Sequence, residues 1–414
     1  MLGLSVNGFT AIFVHRINLN KHKAMKTKII LYQSLILTFC LMLTGYNINA
    51  QKQNNIIEAG ITQDFARNIH GGIQQGQAHL GLINLDFTIS TETSDLWKNG
   101  TFRLHIQNTH GHTPTENLVG DAQVFSNIEN GTYTYLYQIW YKHQFEDFSV
   151  LFGKHDLNEE FFASEYGGEY INSSFGIMPV ASLNVPVSIF PMTTLGIVSH
   201  YDINESMALK AGAYNGMPGD ITHTNFGMNL NLHKDNGLFY VGEFHFKDLI
   251  PNKPGIYKVG MFHHSGEFNS LDNPTRQQKG SSGIYFIADQ LVFTESAENN
   301  QGLGTMFQIG YSPTNSSIND FYLAYGLNYK GLFPKRASDV MGLAVAHASI
   351  NNSLLKNNHK NYETCETAIE FTYKYKALNS LTIQPNIQYI INPGMKSNYN
   401  NAFVGMIRIQ WNYN

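Results

Sequence analysis

Apolar side chains recur at every second position in run after run of this chain. Ile83, Leu85, Phe87 and Ile89 share one face, with Asn84, Asp86 and Thr88 on the other. Phe102, Leu104 and Ile106 oppose Arg103, His105 and Gln107, and Leu238, Tyr240, Phe244 and Phe246 oppose Glu243 and His245. Further runs are read on the face Tyr133, Tyr135, Tyr137, Ile139 and Tyr141, on Phe226, Met228, Leu230 and Leu232, and on Phe321, Leu323, Tyr325, Leu327 and Tyr329. Ile369, Phe371, Tyr373 and Tyr375 line up against Glu370, Thr372, Lys374 and Lys376. A period of two belongs to extended strands with one greasy and one wet face. The chain is therefore expected to be all-β.

A soluble sandwich and a membrane barrel both alternate in this way, so other features must separate them. Arg103, His105, Glu243, His245, Glu370 and Lys374 sit in mid-strand, which suits the wet bore of a barrel. The last run places Phe403, Gly405, Ile407, Ile409, Trp411 and Tyr413 on one face, an aromatic-rich closing strand. Aromatics make up 13% of the residues, with 23 Tyr and 27 Phe against 3 Trp, and charged residues only 14%. About 16 or 17 alternating segments are separated by turn signals such as Lys234-Asp235-Asn236-Gly237 and Asn392-Pro393-Gly394. The segment Ile56–Ala66 reads either as a strand or as a lead-in to the first one. The expected architecture is a transmembrane antiparallel β-barrel of about 16 strands with long loops.

The first 50 residues read as a targeting region. From Met25 the order is basic (Lys26, Lys28), then mainly apolar (Ile29 to Leu43), then small and polar up to Ala50. That is the layout of a secretory signal peptide starting at Met25 and cut after Ala50, leaving 51–414 as one barrel domain. Without residues 1–50 the formal charge falls from −4 to about −9 and Cys365 is the one remaining cysteine, so no internal disulfide forms. Mild acidity argues against a nucleic-acid partner.

One stretch lacks any strand or helix period: Gly153 to Pro179, closed by Pro186 and Pro191. It carries Lys154, His155, Asp156, Glu159, Glu160, Glu165 and Glu169 together with Phe161, Phe162, Tyr166, Tyr170 and Phe175. So many large apolar groups speak for a packed loop rather than a disordered one. The expectation is a loop folded into the barrel.

Several ordered blocks resemble the carbohydrate-selective porins of the OprB family. They are Val119-Gly120-Asp121-Ala122-Gln123, Ser126-Asn127-Ile128-Glu129, Gly153–Pro179, Asn184 to Pro191, Tyr257-Lys258-Val259-Gly260, Ala288-Asp289-Gln290, Lys330 to Pro334 and Gln384 to Gly394. The similarity spans residues 55–414. It implies a 16-stranded barrel in the outer membrane of a Gram-negative bacterium, passing carbohydrates, glucose-like monosaccharides above all, down their gradient.

A sugar path needs hydrogen-bonding groups and flat apolar faces, several weak contacts serving better than one tight pocket. The candidate constriction comprises Lys154, Asp156, Glu159, Glu160, Glu165, Tyr166 and Glu169 from the loop and Arg103 and His105 from the wall, with Asp121 and Glu129 in a vestibule. Paired acids also occur in glycosidases, yet spacing along a loop fixes no separation in space. His263-His264 and His110-Gly111-His112 lack acids or cysteines at ligand spacing, so no metal or cofactor is expected. Gly302-Leu303-Gly304 reads as a strand start rather than a phosphate loop. The alternatives to a porin are a barrel lipase or esterase and a secreted lectin or adhesion module; no ordered Ser–His motif supports the enzyme. Expected partners are carbohydrates and the lipid bilayer, and the outward aromatics suit a neighbouring copy in a homo-oligomer equally well.

Overall fold

The computed structural model describes residues 55–93, 96–219, 225–228, 234–273, 275–295, 301–358 and 361–413. The expected leader at residues 1–50 lies outside them. Sixteen strands close into one antiparallel barrel. In chain order they are β1 (Asn55–Gly72), β2 (Gly76–Ser90), β3 (Gly100–Gly111), β4 (Tyr133–Gln144), β5 (Phe148–His155), β6 (Thr194–Asn204), β7 (Met207–Asn215) and β8 (Leu238–Lys247). The second half is β9 (Gly255–Asn269), β10 (Gln277–Thr294), β11 (Gly302–Tyr311), β12 (Asn319–Lys330), β13 (Val340–Ile350), β14 (Cys365–Lys376), β15 (Leu381–Ile391) and β16 (Asn400–Tyr413). Each pairs with its sequence neighbour, and β1 meets β16 from Ala59↔Tyr413 to Gly72↔Asn400. Ile56–Ala66 thus belongs to a full strand. Closure leaves no sheet edge for lipid to strand.

The two rims differ. At the rim where β1 begins and β16 ends, connections are short, such as 145–147, 205–206 and 377–380. The opposite end of the strands carries the long connections 112–132 and 156–193. In outer-membrane barrels short turns face the periplasm and long loops the exterior.

The dyad faces fall as the alternation requires. Phe152, Met261 and Ile284 point outward and are more than half exposed, while Glu243, Glu366, Glu370 and Arg408 point inward and are buried. Two runs depart from it. β3 and β4 pair as His105↔Gln138 and then Ile106↔Leu136, so Tyr137 is the extra residue of a β-bulge. The bulge shifts the phase: Tyr135 and Tyr137 are buried in the interior, whereas Ile139 is outward and exposed. The single face read through Tyr133–Tyr141 is therefore split in two. The strand read at Phe226–Leu232 is absent where it is described, since Asn225–Gly227 form a 3-10 turn with Phe226 at φ 57°; Leu230 and Leu232 lie outside the described residues.

The interior is not an open tube. β5 stops at His155, paired with Thr194, so the chain leaves the wall midway up the barrel and crosses the lumen. Phe161, Phe162, Tyr170, Phe175, Met178 and Val180 from this crossing are buried against Val241, Phe262, Tyr285, Ile287, Met306 and Tyr322 of the wall. Ala324, Ala344, Ala346 and Ala348 keep the inward face of β12 and β13 low enough to admit it. A second inward segment, carrying Val119 and Phe125, packs on Ala368, Ala402 and Val404.

Candidate constriction site

The crossing segment is held by carboxylates that the wall aims inward. Glu370 on β14 accepts from the backbone N–H of Ile171 (2.7 Å) and Asn172 (2.9 Å), and from Asn386 Nδ2 (2.6 Å). Asp289 on β10 accepts from Ser164 Oγ (2.6 Å) and Glu165 N (2.8 Å). Glu243 on β8 accepts from Phe162 N, Tyr285 Oη and His245 Nε2. Glu366 accepts from Ala122 N and Gln123 N of the second inward segment. Asp64, paired bidentately with Arg408 at 2.7 Å, accepts from Ser126 Oγ. Bonds from N–H groups to ionised acceptors are among the stronger ones a fold can make.

Held in this way, the segment pairs its polar residues with side chains of the wall. Glu159 Oε2 lies 2.6 Å from Arg103 Nη1, and Gln138 Nε2 donates to Glu159 Oε1 at 2.6 Å. Arg103 also grips Asp86, with Nη2–Oδ2 at 2.5 Å, and its guanidinium sits 5.9 Å from the centroid of Trp140. Glu160 meets Lys210 and Glu169 meets Lys374, both at 2.7 Å. Lys258 Nζ donates to Ala163 O at 2.6 Å, and the Glu165 side chain is exposed. Three loop acids thus each face a cation of the wall.

These contacts gather the cations Arg103, Lys210, Lys258 and Lys374 and the carboxylates Asp86, Glu159, Glu160 and Glu169. Charge is close to balanced. Such a rim offers many donors and acceptors without the single-sign field of an ion-selective pore. Trp140 and Tyr166, both half-buried, add flat faces beside it. Tyr166 fits because Gly304 on β11 has no side chain: a Cβ there would lie 2.3 Å from the ring. Near the short-turn rim lies a polar cavity of about 590 Å³ lined by Glu58, Asn84, Asp86, His105, Lys376 and Asn412.

The sequence candidates separate into three groups. Arg103, Glu159, Glu160 and Glu169 enter the ion pairs between loop and wall, Tyr166 lies over Gly304, and Glu165 is exposed. His105 stands on the cavity wall, hydrogen-bonded to Asn84 Oδ1 at 3.0 Å. Lys154 and Asp156 are buried where the loop leaves the wall: Lys154 Nζ donates to Tyr137 O (3.2 Å) and Thr193 Oγ1, and Tyr137 Oη donates to Asp156. Asp156 also caps the turn Leu157–Glu159 by accepting from Asn158 N at 2.7 Å. Burial, opposed by the Tyr137 bond and reinforced by Glu159, pushes its carboxyl up to about 7.

Asp121 and Glu129 are packed in the second inward segment, where Thr115 Oγ1 lies within hydrogen-bond distance of both, at 3.2 and 3.0 Å. Burial pushes Glu129 up to about 7, and burial with Glu366 and Glu129 nearby raises Asp121 well above the ordinary carboxylate range. Asp86, Gln138, Trp140, Lys210 and Lys258 escaped the sequence reading. Their strand parity marks them as inward, but only the fold brings them level with the loop. Among the described residues no cluster of His, Cys, Asp and Glu is arranged to hold a metal ion.

Residues 74–413 match the family described as carbohydrate-selective porin, OprB family. Porin B of Pseudomonas aeruginosa is 23% identical over 355 residues, covering 76% of this chain and 77% of that protein. Putative porin QuiX of Acinetobacter baylyi is 22% identical over 410 residues, covering 89% of this chain and 91% of that one. Among solved structures, OprB of Pseudomonas putida at high pH superposes with a TM-score of 0.81 at 20% identity, over 90% of this chain and 97% of that one. The fold of that barrel and of this chain is the same.

Proposed function

This chain belongs to the carbohydrate-selective porin family, OprB, and works as an outer-membrane sugar channel, not an enzyme; we propose that it admits glucose-like monosaccharides through the rim described above. The observation that carries this reading is the pairing of loop acids with wall cations, Glu159 with Arg103, Glu160 with Lys210 and Glu169 with Lys374. A neutral sugar is recognised by replaceable hydrogen bonds to its hydroxyls and by stacking of its C–H face on a ring. Partly exposed ion pairs suit that exchange, because each is worth only about 0–1 kcal/mol and yields to a hydroxyl at small cost. Trp140 and Tyr166 supply the stacking faces.

In the same reading Lys154, Asp156, Asp121 and Glu129 support the rim from behind and touch no sugar, and His105 lines the exit. Export uses the leader from Met25 to Ala50; the mature protein should then begin at Gln51 on N-terminal sequencing.

Single-channel recording in planar bilayers tests the rim. Glucose should block the current of the wild type in a concentration-dependent way, and deletion of Glu159–Glu169 should raise the conductance and abolish the block. Unchanged conductance and block in the deletion would overturn the assignment. Liposome swelling with a panel of mono- and disaccharides then ranks the substrates.

A further inference from the structure

The outer wall carries a groove of about 390 Å³ where β14, β15, β16 and β1 meet, lined by Phe371, Pro385, Ile387, Gly405, Ile407 and Phe65. Two sequence features make it. Gly405 puts no side chain on the outward face of β16, and a Cβ built there meets only Ile69 Cδ1, at 3.5 Å. Pro385 has no N–H to give, and the β14–β15 ladder lapses opposite it, between Thr372↔Asn386 and Tyr375↔Ile383. Phe65, Phe371, Ile387 and Ile407 stand around the dent, each between 44 and 51% exposed.

Arg67 pairs with Gly405 across the β1–β16 seam and is likewise exposed on the outward face. Among the described residues it forms no hydrogen bond or ion pair. Its position is one outward step from the Tyr389–Phe403 pair, on the side of that pair toward the membrane centre and in the half of the wall nearer the long loops. A cation facing lipid hydrocarbon is costly unless it reaches an anion, and an arginine at this depth extends to the headgroup level. Beside Phe65 the outward face is polar: His79 stacks on Phe65 at 4.9 Å and its Nε2 lies 2.6 Å from Gln63 Oε1.

We propose that this face is a binding site for a phosphorylated glycolipid of the outer leaflet, one acyl chain lying in the Gly405 groove and a phosphate held by Arg67. The groove accounts for the apolar part of the ligand and the unpaired guanidinium for the anionic part. Position toward the exterior-facing rim selects an outer-leaflet lipid over a phospholipid of the inner leaflet.

Native mass spectrometry of the delipidated mature protein in detergent, titrated with bis-phosphorylated lipid A, tests this. One lipid A should bind per barrel, and dephosphorylated lipid A and phosphatidylglycerol should each bind at least tenfold more weakly. Arg67→Ala should remove the preference for phosphate while retaining weak binding, and Gly405→Leu, which fills open space, should remove binding altogether. Single-channel conductance serves as the folding control and should match the wild type in both variants. The proposal is overturned if both variants bind as the wild type does, if phosphatidylglycerol binds equally, or if the face is covered by a second barrel in a stable dimer.

Discussion

Replacing Glu370 with alanine should loosen the loop that narrows the channel without unfolding the barrel. The Glu370 carboxylate is fully buried and receives the N–H groups of Ile171 and Asn172, themselves 0 and 1% exposed. A hydrogen bond to a charged group contributes roughly 1.5–3 kcal/mol, so two lost bonds weaken the local seat by about 3–6 kcal/mol. Water entering the space left by the side chain re-satisfies part of this, which favours the lower end. At about 3 kcal/mol the detached segment becomes about a hundredfold more populated. The sixteen-strand hydrogen-bond network does not depend on Glu370, so the barrel itself stays folded. Glu-C protease reads the segment directly, since Glu165 and Glu169 lie just before the seat. Cleavage of folded, detergent-purified protein should accelerate about a hundredfold in Glu370→Ala and less in Glu370→Gln, which keeps one acceptor oxygen. Glu58→Gln, a lumen carboxylate in the cavity near the short-turn rim, should cleave like the wild type. Cleavage of Glu370→Ala at the wild-type rate, with an unchanged single-channel trace, would refute the clamp.

Two further outcomes follow from the same packing. The seated loop retains a proton on Asp156 up to about pH 7, whereas a released carboxyl gives it up near its ordinary 3.8; the loop seat should therefore weaken as pH rises from about 4 to 7 and level off above. Glu-C resistance measured at pH 5 and pH 8 should fall accordingly in the wild type and fall less in Asp156→Asn, which keeps the cap to Asn158. Gly304→Ala should expel the Tyr166 ring from its place on β11, changing glucose block while leaving the heat-modified gel migration of the barrel intact.

The strand faces were legible because the side-chain period of two needs no tertiary information. Phe102, Leu104 and Ile106 declare their face by composition alone. The reading slipped where a local irregularity reset the period. Nothing in Thr132–Tyr141 announces the extra residue at Tyr137, since the tyrosines, Leu136, Ile139 and Trp140 of that run fit either face. β1 stayed ambiguous for a related reason: it turns Gln63 and Arg67 outward and Thr62 and Asp64 inward, so polarity does not separate its faces. The inward loop was visible in its mixture of acids and aromatics. Its seat was not, because Ala324, Ala344, Ala346 and Ala348 read as weak strand residues rather than as clearance for a neighbour. Nor does sequence proximity reveal that Glu169 meets Lys374, which only barrel closure brings together.

Burial divides the lumen acids into two kinds, and the division explains how a narrow passage can be firm and yet let solute go. Asp64, Glu243, Asp289, Glu366 and Glu370 are at most 2% exposed and are consumed by donors of the inward segments and the wall. Removing a donor from such a group leaves a buried charge unsatisfied, so these contacts resist exchange. Glu159, Glu160 and Glu169 keep side-chain exposures of 41, 22 and 28%, and their cations can trade partners with water or a hydroxyl at little cost. In the function proposed above, position is thus fixed by one set of carboxylates and contact with the solute by the other. Were the rim acids as deeply buried as the clamps, a sugar would have to break strong bonds to enter. Were the clamps as exposed as the rim, the opening would have no defined width. A channel that selects by weak, repeated contacts requires both kinds, and the wall places them on opposite sides of the same loop.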